Sequence, residues 1–393
     1  MKRTFTTHFG GYVQLLLTLL LGAISLFWII VLFDAAIGFR KIEALETVQP
    51  SNETTLLSVI IAARNEQDSI EKSIRSQLLQ QYEHVEWIVV NDRSTDKTGE
   101  IIDRIATSDK RVKPLHIRSL PNNWLGKNYA LFQGYKKASG DVFLFTDADV
   151  IYKQGAFAKA ITYLQKTAVD HITIAPKLIG DTFWLKAFIY FFLFGFGYFK
   201  RPWKANDDRS QMGMGIGAFN LITRQAYEKL GTHEAIAMRP DDDLQMGLQV
   251  KRSGGKQRLL TGMNLIEVRW YPSLTEAIRG LEKNTMAGLF YHYWMVGVAI
   301  IGITLTHFTP FLTIFSNQAS IRLLSILSLV CMFILYTLTT KKMAGATPIH
   351  FIALPITGCI FLFTIVRAAY LTKKQGGIIW RGTYYSLDEL RKS

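Results

Sequence analysis

Two acids separated by one residue end a short apolar run in this sequence. Residues 143–151 read FLFTDADVI, so Asp147 and Asp149 follow an apolar segment and Val150 resumes it. Carboxylate oxygens are ligands that Mg²⁺ and Mn²⁺ prefer, and one or two carboxylates often share such an ion with substrate phosphates. A lone Asp-x-Asp is more often a solvated turn, so its meaning depends on the residues around it.

Two more acids follow apolar runs of the same kind. Glu66 closes LLSVIIAARNE and Asp92 closes VEWIVVND, and segments with helical spacing come after each. Such alternation of buried strands and helices predicts an α/β fold, a mostly parallel sheet with helices on both faces. Ligands bind at the carboxyl ends of the strands in such sheets. We therefore expect these four acids to gather at one edge, where they would repel each other without a cation.

Long apolar segments flank the region that carries these acids. The 393-residue chain is 49% hydrophobic, and segments 11–34, 289–315, 321–340 and 349–371 are each long enough to cross a bilayer. The segment 289–315 contains Pro310 and is either one tilted helix or two short ones. Many of the basic residues behind the net charge of +14 flank these segments. This distribution predicts contact with a lipid bilayer and no nucleic-acid partner.

The same pattern divides the chain into regions. We predict an N-terminal segment at 1–10, a transmembrane anchor at 11–34, a linker at 35–54, a soluble domain at 55–285, C-terminal transmembrane helices at 286–372 and a basic-aromatic tail at 373–393. Within the soluble domain, residues 183–203 combine many aromatic side chains with a basic cluster. Aromatic and basic residues favour the membrane–water interface, so we expect an interfacial helix there.

Several motifs in the soluble domain, in this order, resemble those of family 2 glycosyltransferases with the GT-A fold. They are AARNE (62–66), VNDRSTDKT (90–98), WLGKNYAL (124–131), TDADV (146–150), GIGAFNLITRQAYEKLG (215–231) and DDLQMGLQVKRSG (242–254). The sequence departs from the family pattern at three positions: Ala62 replaces a proline, Arg93 a glycine and Asp242 a glutamate. The resemblance implies a nucleotide-sugar-binding GT-A domain between the N-terminal and C-terminal transmembrane helices.

The resemblance also assigns roles to individual residues. The nucleotide sugar would bind to Arg64, Glu66, Asp92, Lys127 and Asp147. Asp147 and Asp149 would hold Mg²⁺ or Mn²⁺ together with the diphosphate. Asp243, or alternatively Asp242, would be the base that deprotonates the acceptor in a single inverting displacement. Three adjacent acids usually form an exposed loop, but these open an amphipathic helix.

The acceptor is predicted from the region after the acids. Processive polysaccharide synthases carry Gln-x-x-Arg-Trp there, and this chain has Ile266 at the glutamine position before Arg269 and Trp270. Arg269 either contacts the diphosphate or faces solvent, and Arg279 in the next helix is a second possible diphosphate contact. The layout is closer to that of bacterial carotenoid- and hopanoid-pathway transferases. That resemblance implies transfer of a single sugar from a nucleotide-diphosphate sugar, such as a UDP-hexose, to a carotenoid, hopanoid or glycerolipid acceptor.

Two alternative functions remain compatible with the motifs. One is a processive polysaccharide synthase, and the other is a sugar nucleotidyltransferase or a non-catalytic nucleotide-sugar-binding protein. For the primary function, cytosolic nucleotide sugars predict a multi-pass protein of the cell membrane with its catalytic domain facing the cytoplasm. Basic residues lie on both sides of the last apolar segment, so the parity of the C-terminal helices stays open.

Overall fold

The computed structural model describes residues 2–380 and 382–391 of the chain. Met1 of the predicted N-terminal segment, and Arg381, Lys392 and Ser393 of the predicted tail, lie outside the described residues. The helices are α1 Lys2–Phe39, α2 Ile70–Leu78, α3 Thr98–Ser108, α4 Gly126–Lys137, α5 Ala156–Thr167, α6 Phe183–Lys200, α7 Arg224–Lys229, α8 Asp242–Arg252, α9 Leu274–Gly288, α10 Tyr293–Ile303, α11 Thr309–Thr313, α12 Ala319–Ala344, α13 Leu354–Gln375 and α14 Leu387–Arg391. The strands are β1 Glu43–Ala44, β2 Leu57–Ala63, β3 Val85–Asp92, β4 Val112–Ile117, β5 Val142–Asp147, β6 Ile151–Tyr152, β7 His171–Leu178, β8 Asn220–Thr223, β9 Gln257–Val268, β10 Gly377–Trp380 and β11 Thr383–Ser386.

Most strands join one sheet in the order β1-β9-β7-β8-β5-β2-β3-β4, and β6 pairs with β9. The pairs β2–β3, β2–β5, β3–β4, β7–β9 and β1–β9 are parallel, and β8 runs antiparallel to both of its neighbours. The mostly parallel sheet predicted from the sequence is thus confirmed. In register, Ala62 lies opposite Asp147, so β2 and β5 end at the same edge.

Helices cover both faces of the sheet, because the central strands direct apolar side chains alternately to one face and the other. Val59 and Ile61 pack with α2, α3 and α5 on one face, whereas Ile60 packs with α4, α7 and α8 on the other. Burying one such side chain contributes about 1.5–3 kcal/mol, so continuous apolar strands are stable only between two helical layers.

Four helical segments of the described chain are long and apolar enough to cross a membrane: Gly11–Phe39, Tyr293–Thr313, Ala319–Ala344 and Pro348–Gln375. The segment with Pro310 is one span with a π-helical turn at Thr304–Phe308. Proline has no N–H to donate to the carbonyl four residues earlier, which is that of Thr306. The indole of Trp28 in α1 donates to this carbonyl instead, at 3.1 Å.

Helix α6 joins the sheet domain to these apolar helices. The Phe194 ring lies 5.7 Å from those of both Trp28 and Tyr336, so one face of α6 is buried against α1 and α12. Phe183 and Trp184 remain exposed at its start. The predicted helix within 183–203 therefore forms and packs on the apolar segments, and its interfacial position remains a prediction.

Candidate active site

The acid at the end of β5 is paired with a buried lysine. Lys127, the second residue of α4, lies 2.9 Å from an Asp147 carboxylate oxygen and 3.2 Å from one of Asp242. Burial alone would lower the pKa of Lys127, but Asp147, Asp242 and Asp243 outweigh it and raise that pKa. Lys127 therefore carries a permanent positive charge between the strand-end acid and the start of α8.

The two acids that begin α8 differ in access and in pKa. Asp242 is buried and Asp243 is half-buried. The Asp243 carboxylate accepts hydrogen bonds from the amides of Gly217, at 2.7 Å, and Leu244, at 2.8 Å. Burial and the neighbouring Asp242 charge raise its pKa to about 7, although Lys127 opposes the shift. A partly accessible carboxylate with a pKa near neutrality suits a general base, which favours Asp243 over Asp242.

The remaining acid of this run, Asp241, is held apart from the cluster. Its carboxylate accepts two hydrogen bonds from Arg239, each 3.0 Å long, and one from the side chain of Gln245.

Gly217 brings the α8 acids close to the end of β5. Its carbonyl accepts from the amide of Asp147 at 2.9 Å, while its own amide donates to Asp243. A β-carbon at position 217 would lie only 2.4 Å from an Asp147 carboxylate oxygen. A larger residue there would therefore displace the Asp147 carboxylate or the backbone that holds Asp243.

Asp92, at the end of β3, is neutralised by two arginines. Arg93 donates to its carboxylate at 2.7 Å, and a guanidinium nitrogen of Arg64 lies 3.9 Å away. Gly126 packs directly against this ion pair, because a β-carbon at that position would lie 2.4 Å from Asp92 and 2.5 Å from Arg93. Arg93 and Lys127 thus supply positive charge beside Asp92 and Asp147, two of the four edge acids. The sequence pattern alone indicated no role for Arg93, although this residue directly follows Asp92.

Glu66 lies at the same edge but makes local contacts. Its carboxylate accepts from the hydroxyl of Ser69 at 2.8 Å, and its amide donates to Thr98 at 2.8 Å. These bonds fix the turn between β2 and α2 beside the β3 end.

The donor set at the end of β5 suits a divalent ion that is completed by a ligand. Among the described residues, no group of three or more His, Cys, Asp or Glu side chains is arranged to hold a metal by itself. Asp147 and Asp149 are both half-buried at this edge. Mg²⁺ is typically bound by one or two carboxylates together with substrate phosphates, so two acids are the set expected for such an ion.

The two possible diphosphate contacts lie elsewhere. Arg269 follows the end of β9 and forms an ion pair with Asp181, and Arg279 is exposed on α9. Within the described part of the chain, neither forms a hydrogen bond or ion pair with Asp147 or Asp243 that would tie it to the cluster.

Two residues of the C-terminal tail also reach this edge. The hydroxyl of Tyr385 accepts from the amide of Gly126 at 3.4 Å, and Arg64 donates to the hydroxyl of Thr383 at 3.4 Å. From its composition, the tail is recognisable only as basic and aromatic. A glycine before an alternating segment indicates a turn followed by a strand. Gly382, which has a positive φ, directly precedes the alternating segment Thr383–Ser386, and this pattern could have indicated the hairpin.

Comparisons with known proteins find glycosyltransferases. The family model "Glycosyl transferase family 2" matches residues 58–231. An uncharacterized glycosyltransferase of Haemophilus influenzae is 43% identical over 118 residues, which are 30% of this chain and 35% of that protein. The 4,4'-diaponeurosporenoate glycosyltransferase of Staphylococcus aureus is 23% identical over 380 residues, which cover 90% of this chain and 94% of that protein.

A solved structure shares the fold over most of the chain. The mannosyltransferase PcManGT of Pyrobaculum calidifontis, determined in complex with GDP-Man and Mn²⁺, superposes with a TM-score of 0.50 at 16% identity. The match covers 90% of this chain and 99% of that one. On these likenesses, residues 58–231 form a family 2 glycosyltransferase domain of the GT-A fold, and the chain as a whole is similar to a carotenoid-pathway glycosyltransferase.

Proposed function

We propose that this protein is a membrane-bound, inverting glycosyltransferase that moves one sugar from a nucleotide-diphosphate sugar to a membrane lipid. The observation that carries the proposal is the position of Gly217 between Asp243 and Asp147. Its amide is 2.7 Å from the Asp243 carboxylate, and a β-carbon there would lie 2.4 Å from Asp147. In a single displacement, the acceptor attacks and the diphosphate leaves at the same carbon atom. A base and an acid that holds the diphosphate are therefore expected close together, and Asp243 and Asp147 lie on either side of Gly217.

In this mechanism Asp243 takes the proton of the acceptor hydroxyl as the oxygen attacks the anomeric carbon. The amides of Gly217 and Leu244 hold its carboxylate in place. An acceptor that is already a carboxylate needs no base, and Asp243 would then only orient it. Lys127 offsets negative charge beside the departing diphosphate. Mg²⁺ or Mn²⁺ held by Asp147 and Asp149 would share the charge of the leaving diphosphate.

The donor half of the proposal rests on the edge formed by β2, β3 and β5. Asp92 with Arg64 and Arg93 offers hydrogen-bonding groups for a nucleoside, and Lys127 lies between them and Asp147. The similar fold of PcManGT, a mannosyltransferase solved with GDP-Man and Mn²⁺, supports a donor of this class and a divalent ion.

The acceptor half rests on the membrane-facing elements. Helix α6 is packed on the apolar helices, and its exposed Phe183 and Trp184 suit a position at the bilayer surface. The relative from S. aureus is a 4,4'-diaponeurosporenoate glycosyltransferase, which supports a carotenoid-type acceptor. With cytosolic donors, the catalytic domain would face the cytoplasm.

Single transfer is favoured over polymer synthesis by the surroundings of Ile266. This residue stands where polysaccharide synthases have glutamine, and its side chain is fully buried in β9. It therefore offers no hydrogen bond to a growing polymer. Trp270 packs on Phe192 of α6, with ring centroids 4.8 Å apart.

The proposal is tested with membranes that contain the protein, Mg²⁺ or Mn²⁺, and a panel of labelled UDP- and GDP-sugars. We expect label in the organic-extractable fraction, and no such label with the Asp149→Asn variant. Label in an insoluble polymer would instead establish a processive synthase. No transfer from any donor to either fraction would contradict the proposal.

A further inference from the structure

The C-terminal tail folds back onto the catalytic domain as a hairpin. Strands β10 and β11, here called the C-terminal hairpin, pair antiparallel from Gly377↔Ser386 to Trp380↔Thr383. Ile378 and Tyr385 are buried in the same cluster as Leu125 of the loop before α4. Arg391 of α14 donates to the carbonyl of Tyr291 at 2.9 Å. Apolar packing therefore holds the hairpin against the loop before α4, and the Arg391 hydrogen bond holds α14 against the segment after α9.

This packing places polar groups of the hairpin over the candidate nucleotide site. Tyr385 accepts from the first amide of α4, that of Gly126, and Thr383 accepts from Arg64 at the end of β2. Lys127, the next residue along α4, reaches Asp147. The hairpin thus lies against Arg64 and the start of α4, next to the residue that reaches the β5 end.

We propose that the C-terminal hairpin is the outer wall of the nucleotide site, and that Tyr385 positions the start of α4 for the diphosphate. This inference rests on the proposed function, since it assumes a nucleotide-diphosphate ligand. It adds a segment outside the region matched by the family model, which ends at residue 231.

The chemistry of α4 explains why its start would face the diphosphate. A helix N-terminus presents unpaired amides and a partial positive charge, both of which favour phosphate oxygens. The N-cap residue Leu125 makes no side-chain cap at this end, and Lys127 adds a full charge. Burial raises the pKa of Tyr385, so its hydroxyl stays protonated and neutral beside the ligand. Tyr385 would act on the reaction through α4, as a positioning residue.

The same contacts constrain how the chain crosses the membrane. Helix α12 ends beside the catalytic domain, where a β-carbon on Gly345 would lie 3.9 Å from Met263 of β9. Helix α13 leads into the hairpin, which also touches that domain. The hairpin and the candidate active site would therefore lie on the same side of a membrane.

The first test measures binding of UDP, UMP, GDP and GMP to the full-length protein in detergent with Mn²⁺. We expect Tyr385→Phe to weaken diphosphate binding by about five- to tenfold, the effect of one lost hydrogen bond, and monophosphate binding much less. Tyr384→Phe is the matched control, because Tyr384 lies on the exposed face of the same strand and donates to Gln375. It should bind as the wild type does.

The outcomes separate this inference from the proposed function. If the wild type binds no nucleotide, the proposed function fails and this inference fails with it. If the wild type binds, but Tyr385→Phe leaves both affinities unchanged or lowers both equally, the positioning role is overturned while the proposed function stands.

The second test needs no substitution. An epitope tag added at the C-terminus and one placed in the loop around Asp208 of the domain are compared for protease access in sealed vesicles of one orientation. If the C-terminal hairpin lines the nucleotide site, both tags lie on the same side of the membrane. Both must then be cleaved, or protected, together. Opposite protection of the two tags would overturn this inference.

Discussion

The Nζ atom of Lys127 lies 2.9 Å from the Asp147 carboxylate, which joins the start of α4 to the end of β5. The same nitrogen lies 3.2 Å from Asp242 at the start of α8. One lysine therefore connects three elements that come from distant parts of the chain. It supplies positive charge at the point where a leaving diphosphate would be held.

Replacing this lysine is expected to disable the site. Lys127→Ala should reduce transfer on the order of 100-fold, because a buried charge-assisted contact is worth about 2–3 kcal/mol. Initial rates at saturating donor measure the effect. Lys137→Ala, an exposed residue on the same helix, is the control and should retain wild-type rates. Equal activity of the two variants would show that the Lys127 charge is not used.

Asp149→Asn should abolish both metal-dependent nucleotide binding and transfer. The amide keeps the size of the side chain but removes the charge that a divalent ion requires. Calorimetric titration of UDP or GDP, with Mn²⁺ and then with EDTA, measures the binding. Asp141→Asn changes an exposed acid just before β5, at the other end of that strand, and should leave binding intact. Metal-dependent binding that survives in Asp149→Asn would remove this residue from the metal site.

Local patterns in the sequence predicted the sheet and the acids at its edge. The run VEWIVVND forms β3 with the bounds that its apolar pattern indicated, and the Asp-x-Asp begins at the last residue of β5. Strand alternation and the direction of parallel strands are sufficient for this result. They place Asp92 and Asp147 at one edge without knowledge of any long-range contact.

The contacts that complete the site could not be predicted in this way. The bond between Gly126 and Tyr385 joins residues 259 positions apart, and no periodicity links them. The Trp28 bond to Thr306 in the apolar helices is of the same kind. Arg93 occupies a position where the family has glycine, so the motif itself suggested a departure and not an ion pair with Asp92. Such contacts depend on how the elements pack in three dimensions.

Asp243→Asn should abolish transfer while sparing nucleotide binding. Asp243 is the proposed base, and the amide of an asparagine cannot take the acceptor proton. Rates fall by about 10³-fold or more if the base is essential, whereas the Kd for the nucleotide should change little. Asp241→Asn is the neighbouring control, since Asp241 is bound to Arg239 outside the cluster. Near-wild-type turnover of Asp243→Asn with a hydroxyl acceptor would show that the base assignment is wrong.

Transfer to a hydroxyl acceptor should decline on the acid side of neutrality. The pKa of Asp243 is raised to about 7, and only the deprotonated form is a base, so activity is present above that pKa and lost as the pH falls through it. A divalent ion at Asp147 would move this limb to lower pH, because positive charge favours the carboxylate. Lys127→Arg keeps the charge and should keep the profile. A profile that stays flat down to about pH 4, the ordinary pKa of an aspartic acid, would contradict the role of Asp243 as the base.

Gly217→Ala should inactivate the enzyme without unfolding it. The added methyl group would lie 2.4 Å from Asp147, and either the carboxylate or the backbone that holds Asp243 must move. Displacement by about 1 Å at a reacting centre can cost 100-fold in rate. Gly195→Ala is the matched control, because a β-carbon at that position in α6 meets nothing within 4 Å. Melting temperature and transfer rate are measured for both variants. The relationship between Asp147 and Asp243 requires Gly217→Ala to lose activity while its melting temperature stays within a few degrees of the wild type, and full activity would show that the two acids do not work as one site.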